Sequence, residues 1–235
     1  MKYSVVIIAE NEADNLTDCI NSAVGADEFI VIDDDSSDRT AEIARDLGAK
    51  VYQRTLDGFA TQKNFGIDKA TNDWVLILDA DERLTPELAD EITGLKVDDK
   101  ITAYQIAFRN FVGHTWLRHG GLYPDYHARL FDKTKARYGS RQVHEELETN
   151  GRIDRLNHDI IHLTYKNWRE YYHKVKKYAR LEAKSDRSRP SWTFITKTFY
   201  RKYVKDRGFL DGPAGLTSAL LLAYYQYLKR RELTG

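Results

Sequence analysis

The sequence predicts an α/β fold: a mostly parallel sheet with helices on both faces, followed by a helical C-terminal extension. Three observations carry this prediction. Short, continuous apolar runs alternate with stretches of helical period over the first hundred residues. After residue 100 that alternation gives way to a segment rich in Gly, His, Arg and Tyr. From Trp168 onward the chain reads as helix.

The elements follow in order. "SVVIIA" (Ser4–Ala9) is a short apolar run, as expected of a strand buried on both faces. Leu16, Cys19, Ile20 and Ala23 then recur at helical spacing. "EFIVID" (Glu28–Asp33) is the second strand, and "SSDRTAEIARDLG" opens with capping residues and stops at Gly48. "KVYQR" is a shorter strand, "TQKNFGIDKA" (Thr61–Ala70) a helix and "DWVLILD" (Asp73–Asp79) the next strand. Thr85-Pro86 caps a further helix, with proline at its first turn. "ITAYQIAFRNF" (Ile101–Phe111) alternates as a half-buried strand, and "ARLF" and "DIIHLTY" read as strand pieces.

With 235 residues, 42% hydrophobic and 31% charged, the chain is long enough for one large domain or a domain plus extension. One cysteine, Cys19, permits no internal disulfide and reads as a small core residue. "MKYSVVII" lacks the long apolar stretch of a signal peptide, and no run has the roughly 18 apolar residues a spanning helix needs. These features predict a cytoplasmic protein. The net charge of zero hides an asymmetry: residues 1–100 carry 10 Lys+Arg against 23 Asp+Glu, residues 101–235 carry 26 against 13. Either the two surfaces attract each other within one fold or each faces a ligand of opposite charge.

In an open parallel sheet, ligands bind beyond the carboxyl ends of the strands. There the chain gathers Glu10, Asn11 and Glu12, then Asp33, Asp34, Asp35 and Asp38, then Asp79 and Asp81. So many carboxylates at one edge call for a cation or hydrogen-bond donors. Helix capping accounts for Ser36, Ser37 and Asp38 but not for Asp79 and Asp81, because the next helix has its own cap at Thr85. Asp-x-Asp at a strand end suits Mg²⁺ or Mn²⁺, which takes one or two carboxylates plus substrate phosphates.

"SVVIIAENEADNL", "FIVIDDDSSDRT" and "QKNFGIDKATNDWVLILDADE" resemble, in order and spacing, the nucleotide-sugar domain of the family 2 glycosyltransferases, which have the GT-A fold. "GLYPDYHARLF", "VHEEL", "IIHLTY" and the tail "RGFLDGPAGLTSALLLAYYQYLK" resemble the branch of lipopolysaccharide core β-glucosyltransferases. The resemblance implies roles. Ala9 and Glu12 lie where the first loop surrounds the nucleoside, and Glu10 stands where the family more often has an aromatic residue. Asp34 matches the carboxylate that binds the base, and Asp35 replaces a common glycine, so the loop is expected to differ locally. Lys63 is placed to reach ribose or phosphate, or is a solvated lysine. Asp79 and Asp81 match the metal motif, with Asp81 the firmer ligand, and His162 is a third candidate for the metal shell or a phosphate contact.

An inverting transfer needs a carboxylate base for the acceptor hydroxyl. Glu145 in "VHEEL" is the first candidate and Asp125 in "YPD" the second, with Glu146 a further possibility and His144 an orienting group. Arg129 and Arg141 are candidates to neutralise phosphates, and Trp116 and Tyr123 to stack on sugar rings; each is equally readable as packing.

Residues 164–235 carry 17 Lys+Arg against 6 Asp+Glu with interleaved aromatics. That composition suits an anionic membrane face, or a helix packed on the catalytic domain or a second subunit; no nucleic-acid motif accompanies it. The expected division is a catalytic domain over 1–165, with a donor half 1–100 and an acceptor half 101–165, and a basic helical extension over 166–235. The expected function is transfer of a hexose from a UDP-sugar to a lipid-linked or lipopolysaccharide-core saccharide, at the inner face of the plasma membrane. A sugar nucleotidyltransferase is the first rival, but "AENEADN" is acidic and lacks the Gly-rich, basic triphosphate loop. A non-catalytic sugar-binding scaffold is the second, and intact Asp34, Asp79, Asp81 and Glu145 argue against it.

Overall fold

The computed structural model describes residues 1–139, 147–185 and 190–233. In chain order it contains β1 (Tyr3–Ala9), α1 (Ala13–Ser22), β2 (Glu28–Asp33), α2 (Thr40–Asp46), β3 (Lys50–Gln53), α3 (Phe59–Lys69), β4 (Trp74–Asp79), β5 (Glu82–Leu84) and α4 (Pro86–Gly94). There follow β6 (Ile101–Val112), β7 (Thr115–Trp116), β8 (Asp125–Asp132), β9 (Ala136–Tyr138), β10 (Leu147–Thr149) and β11 (Arg152–Tyr165). The C-terminal part holds α5 (Trp168–Ser185), α6 (Trp192–Tyr200), a π-helical turn (Arg201–Lys205), a 3-10 turn (Gly208–Asp211) and α7 (Gly212–Glu232).

The chain groups into two compact units: Met1–Phe108 with Tyr126–His162, and Arg109–Asp125 with Leu163–Gly235. In the main sheet the strand order is β3-β2-β1-β4-β8-β6-β11-β5, and β9 and β10 form a separate ladder. β1 pairs in parallel with β2 and β4, and β2 with β3. β8 runs antiparallel to β4, and β11 antiparallel to β5. The sheet is therefore parallel on one side and mixed beyond β4.

Alternation along the parallel strands explains the layers. Val5, Ile7, Val31, Leu76 and Leu78 pack with Leu16, Cys19 and Ile20 of α1, Ala44 of α2 and Leu88 and Ile92 of α4. The intervening Val6, Ile30, Ile32, Val75 and Ile77 pack with Ala60 and Ile67 of α3. Gly66 allows α3 to approach β1 closely, since a Cβ there would meet Val6 Cγ1 at 2.4 Å. α4 starts as its sequence predicts, with the Thr85 side chain accepting from Leu88 N and Pro86 at the first turn. One expectation fails. β6 is not half-buried: Ile101, Thr102, Ala103, Tyr104, Ile106, Ala107 and Phe108 are all buried, because its side chains enter both cores, Ile101, Tyr104, Ile106 and Phe108 the first and Ala103 the second.

The second unit has its own core of Val112, Leu117, Tyr171 and Val175, flanked by Tyr165, Trp168, Leu221 and Tyr224. α5 meets α7 through the stacked rings of Tyr172 and Tyr224 and through Lys229 Nζ, which donates to Glu182 at 2.9 Å. Among the described residues no helix is long and apolar enough to cross a membrane.

At the amino end of the sheet, the Glu28 carboxylate accepts from Lys50 Nζ (2.6 Å), Ser4 Oγ (2.7 Å) and Thr71 N (2.8 Å), tying β1, β2 and β3 to the turn before β4. Burial opposes its charge, but the donors Lys50, Thr71 and Ser4 outweigh burial and lower its pKa from 4.5 to about 2. Ionised Glu28 therefore stabilises the fold above pH 4.5, and that stabilisation is lost as pH falls toward 2. Replacing Glu28→Gln is expected to cost on the order of 2 kcal/mol at neutral pH. In urea titrations the gap to wild type should narrow between pH 4.5 and 2.

Candidate active site

The parallel register places the carboxyl ends of β1, β2 and β4 side by side: Ala9 opposes Asp33, and Ile8 opposes Asp79. Asp34 N donates to Ala9 O at 2.9 Å, which continues the ladder into the loop. The loops after β1 and β2 are clasped together. Asn11 Oδ1 accepts from Ser37 N and Ser37 Oγ, both at 2.9 Å, and Asn11 N donates to Ser36 Oγ at 2.9 Å. Asp38 accepts from Ala13 N at 3.2 Å and from Thr40 N at 2.9 Å. Residues that read as helix caps thus also lock one loop to the other. Glu10 is exposed, whereas Glu12 accepts from Asn15 Nδ2 at 2.6 Å within the first turn of α1.

Asp34 is half-buried, and its Oδ1 accepts from Leu56 N at 2.8 Å. Asp35 has φ +47°, in the left-handed region that glycine enters freely and Asp tolerates better than most residues. Its carboxylate accepts from Thr55 Oγ1. The substitution of Asp for a common glycine is thus accommodated without abandoning the turn.

Asp79 meets a buried cation. Side chains at alternate positions share a face, so Asp79 joins Val75 and Ile77 on the α3 side, and Arg129 joins Phe131 there. Arg129 Nη2 donates to Asp79 Oδ2 at 3.1 Å and to Glu82 Oε1 at 2.7 Å, while Asp79 N donates to Glu82 Oε2 at 3.0 Å. The guanidinium also lies 5.1 Å from the Phe108 ring centre. Burial raises the Asp79 pKa, but the charges of Arg129 and Lys63 overcome it and hold the carboxyl at about 2. Burial, reinforced by Asp79, raises Glu82 well above the ordinary carboxylate range against the pull of Arg129. Burial lowers the Arg129 pKa, but Glu82 and Asp79 outweigh it and keep the group charged. Arg129 is therefore committed to two carboxylates and does not stand ready for a phosphate.

Asp81 faces a different partner. β5 pairs with β11 in the register His162↔Glu82, and this brings His162 Nε2 to 3.6 Å from Asp81 Oδ2. The His162 ring is also edge-on to Phe108 at 5.7 Å. Both side chains keep partial exposure, 28% for Asp81 and 22% for His162. Among the described residues no group of three or more His, Cys, Asp or Glu forms a ready metal shell. The donors present are a carboxylate and imidazole pair, with Asp79 two residues before Asp81 and bonded to Arg129.

Beside this edge lies a cavity of about 450 Å³, lined by Lys63, Gln105, Tyr126, His127, Arg129 and Tyr138 among others. Lys63 Nζ lies 5.2 Å from the Tyr138 ring centre. Asp125 belongs to the second unit, where Asn110 Nδ2 donates to its carboxylate at 3.4 Å. In the same unit Trp116 and Tyr123 meet edge to face at 5.2 Å, and Trp116 carries the guanidinium of Arg118 at 4.2 Å. Arg141, His144, Glu145 and Glu146 lie outside the described residues. Sequence reasoning missed the bonding roles of Asn11 and Glu82, and it left Arg129 open between a phosphate contact and packing. The available signal was a cation inside the otherwise apolar strand "ARLF", matching the three carboxylates after "LIL".

Replacing Arg129→Met strands Glu82 in the interior, and is expected to destabilise the protein by about 3 kcal/mol or more. Urea titration should show partial recovery in the double variant Arg129→Met/Glu82→Leu, which removes the orphaned carboxyl.

A model of glycosyl transferase family 2 matches residues 4–155. An uncharacterized glycosyltransferase of Rickettsia bellii is 30% identical over 259 residues, covering 99% of this chain and 86% of that protein. The lipopolysaccharide core biosynthesis glycosyltransferase LpsC of Rhizobium meliloti is 27% identical over 248 residues, covering 99% of this chain and 92% of LpsC. In fold, the chain is similar to S. aureus TarS, with a TM-score of 0.52 and 16% identity over 99% of this chain and 54% of TarS. The parallel strand ends with their carboxylates lie within the family match, and on that match, with a relative of 30% identity beside it, the chain belongs to glycosyl transferase family 2 and is a glycosyltransferase of GT-A fold.

Proposed function

We propose that the protein transfers a hexose, with inversion, from a UDP-sugar to a lipid-linked or lipopolysaccharide-core saccharide, and that Mg²⁺ or Mn²⁺ assists. The observation that carries this reading is the Asp81–His162 pair at 3.6 Å, next to an Asp79 fixed by Arg129. A partly exposed carboxylate fits Mg²⁺, and with the imidazole beside it fits Mn²⁺, the remaining ligands coming from water and substrate phosphate. Asp81 and His162 would hold the ion, with Asp79 adjoining. When bound, it supplies positive charge to the diphosphate leaving group.

The chain's own residues divide the remaining work. Asp34, with Oδ1 on Leu56 N, offers Oδ2 to the imide N–H of uracil. Ala9, Glu10 and Glu12 border the nucleoside. Lys63, in the cavity wall, faces ribose or diphosphate, and the cavity holds the sugar. A carboxylate takes the proton of the acceptor hydroxyl as its oxygen bonds to the anomeric carbon and the bond to the diphosphate oxygen breaks. Glu145 is the first choice for that base and Asp125 the second. The name of LpsC, similar over nearly the whole chain, supports a lipopolysaccharide-core acceptor.

Calorimetric titration of UDP and GDP, with and without Mn²⁺, tests the donor site. Metal-dependent UDP binding that disappears in Asp81→Ala is the expected result; no nucleotide binding under any metal condition would overturn the assignment. Turnover assays separate the bases. The true base, replaced as Glu145→Gln or Asp125→Asn, should lose about 10²–10⁴-fold in kcat with donor KM little changed.

A further inference from the structure

Between Trp192 and Leu220 the usual pattern of burial is inverted. The buried residues are all small: Thr198, Gly208, Gly215, Ser218 and Ala219. The exposed ones include Trp192 (59%), Phe194, Tyr200 (61%), Val204, Phe209, Leu210 (55%), Leu216 and Leu220. Close backbone packing explains the small residues, since a Cβ on Gly215 would meet Gly208 O at 1.8 Å. It leaves the large apolar groups facing outward, where a water-facing surface would not gather them.

The exposed charges on the same stretch have one sign. Lys197, Arg201, Lys205 and Arg207 are exposed. Its two acids are engaged: Asp206 lies 3.8 Å from Lys202 Nζ, and Asp211, with a side chain only 7% exposed, accepts from His119 N at 2.8 Å. From this combination we infer that segment 192–220 is a docking surface for an anionic lipid bilayer. The aromatic and aliphatic side chains enter the headgroup boundary and the four cations meet lipid phosphates. The contact is on the bilayer, since no helix among the described residues has the length and apolarity to cross it. A second copy is the weaker occupant, because a two-fold contact would bring four cations of each copy onto the same patch. Nucleic acid is weaker too, because Val204, Leu210, Leu216 and Leu220 offer nothing to phosphates or stacked bases.

The test uses the full chain, without nucleotide, in flotation with vesicles of phosphatidylcholine alone and of phosphatidylcholine with phosphatidylglycerol. The expected result is recovery with the anionic vesicles and at least about tenfold weaker binding to the neutral ones. Phe209→Ser/Leu210→Ser and Lys197→Glu/Lys205→Glu should each weaken anionic binding by about tenfold or more, with unchanged thermal melts. No anionic preference, or binding that neither double variant weakens, would overturn the inference. So would a dimer in sedimentation velocity that both variants dissolve, or oligonucleotide binding that exceeds vesicle binding. Vesicle binding requires neither UDP nor Asp81, so its failure is distinguishable from failure of the donor-site reading.

Discussion

The buried guanidinium of Arg129 fixes Asp79 and Glu82 of the candidate site. Asp79 closes β4, Asp81 and Glu82 follow within three residues, and carboxylates so crowded repel one another when ionised. Arg129 lies between Asp79 and Glu82 and turns this repulsion into a fixed arrangement. Glu82 completes it by accepting from the Asp79 backbone, so both the side chain and the peptide of Asp79 are positioned. Asp81, two residues on, is left to the partially exposed side with His162.

The loops after β1 and β2 have a comparable logic with weaker bonds. Asn11, at φ +54°, and Asp35, at φ +47°, occupy backbone conformations that few side chains accept. Each is held by hydroxyls from another loop, Ser37 in one case and Thr55 in the other. The strand ends are thus joined to each other through their loops before any substrate arrives. Such preorganisation reduces the ordering that ligand binding must accomplish.

Much of the parallel half was legible because its signals are local. A strand covered on both faces must be a continuous apolar run, and β1, β2 and β4 are such runs. α4 announced itself by Thr85-Pro86. What was not legible depends on distant pairing. β5 has three residues, two of them charged, and is a strand only through its ladder with β11. β6 reads as half-buried because Thr102 and Gln105 are polar, yet its side chains enter the cores on both faces of the sheet. Arg129 was visible as a cation, but its partners follow from which face two antiparallel neighbours share. The Asp81–His162 proximity likewise needs the β5–β11 register, and Glu145 lies outside the described residues.

That ladder has a consequence for how the chain can change. Asp81 and His162 are far apart in sequence, but their spacing is set by three paired positions, Leu84–Ile160, Arg83–Ile161 and Glu82–His162, with Thr85 N bonded to Asp159 O just beyond. Loops between Thr85 and Asp159 can lengthen or shorten without altering the pair, provided these rungs survive. A slip of one residue would carry His162 to the opposite face of the sheet and dissolve the pair at once. The donor pair is therefore insulated from gradual drift in intervening length and exposed to a single discrete failure, the register of a three-residue strand.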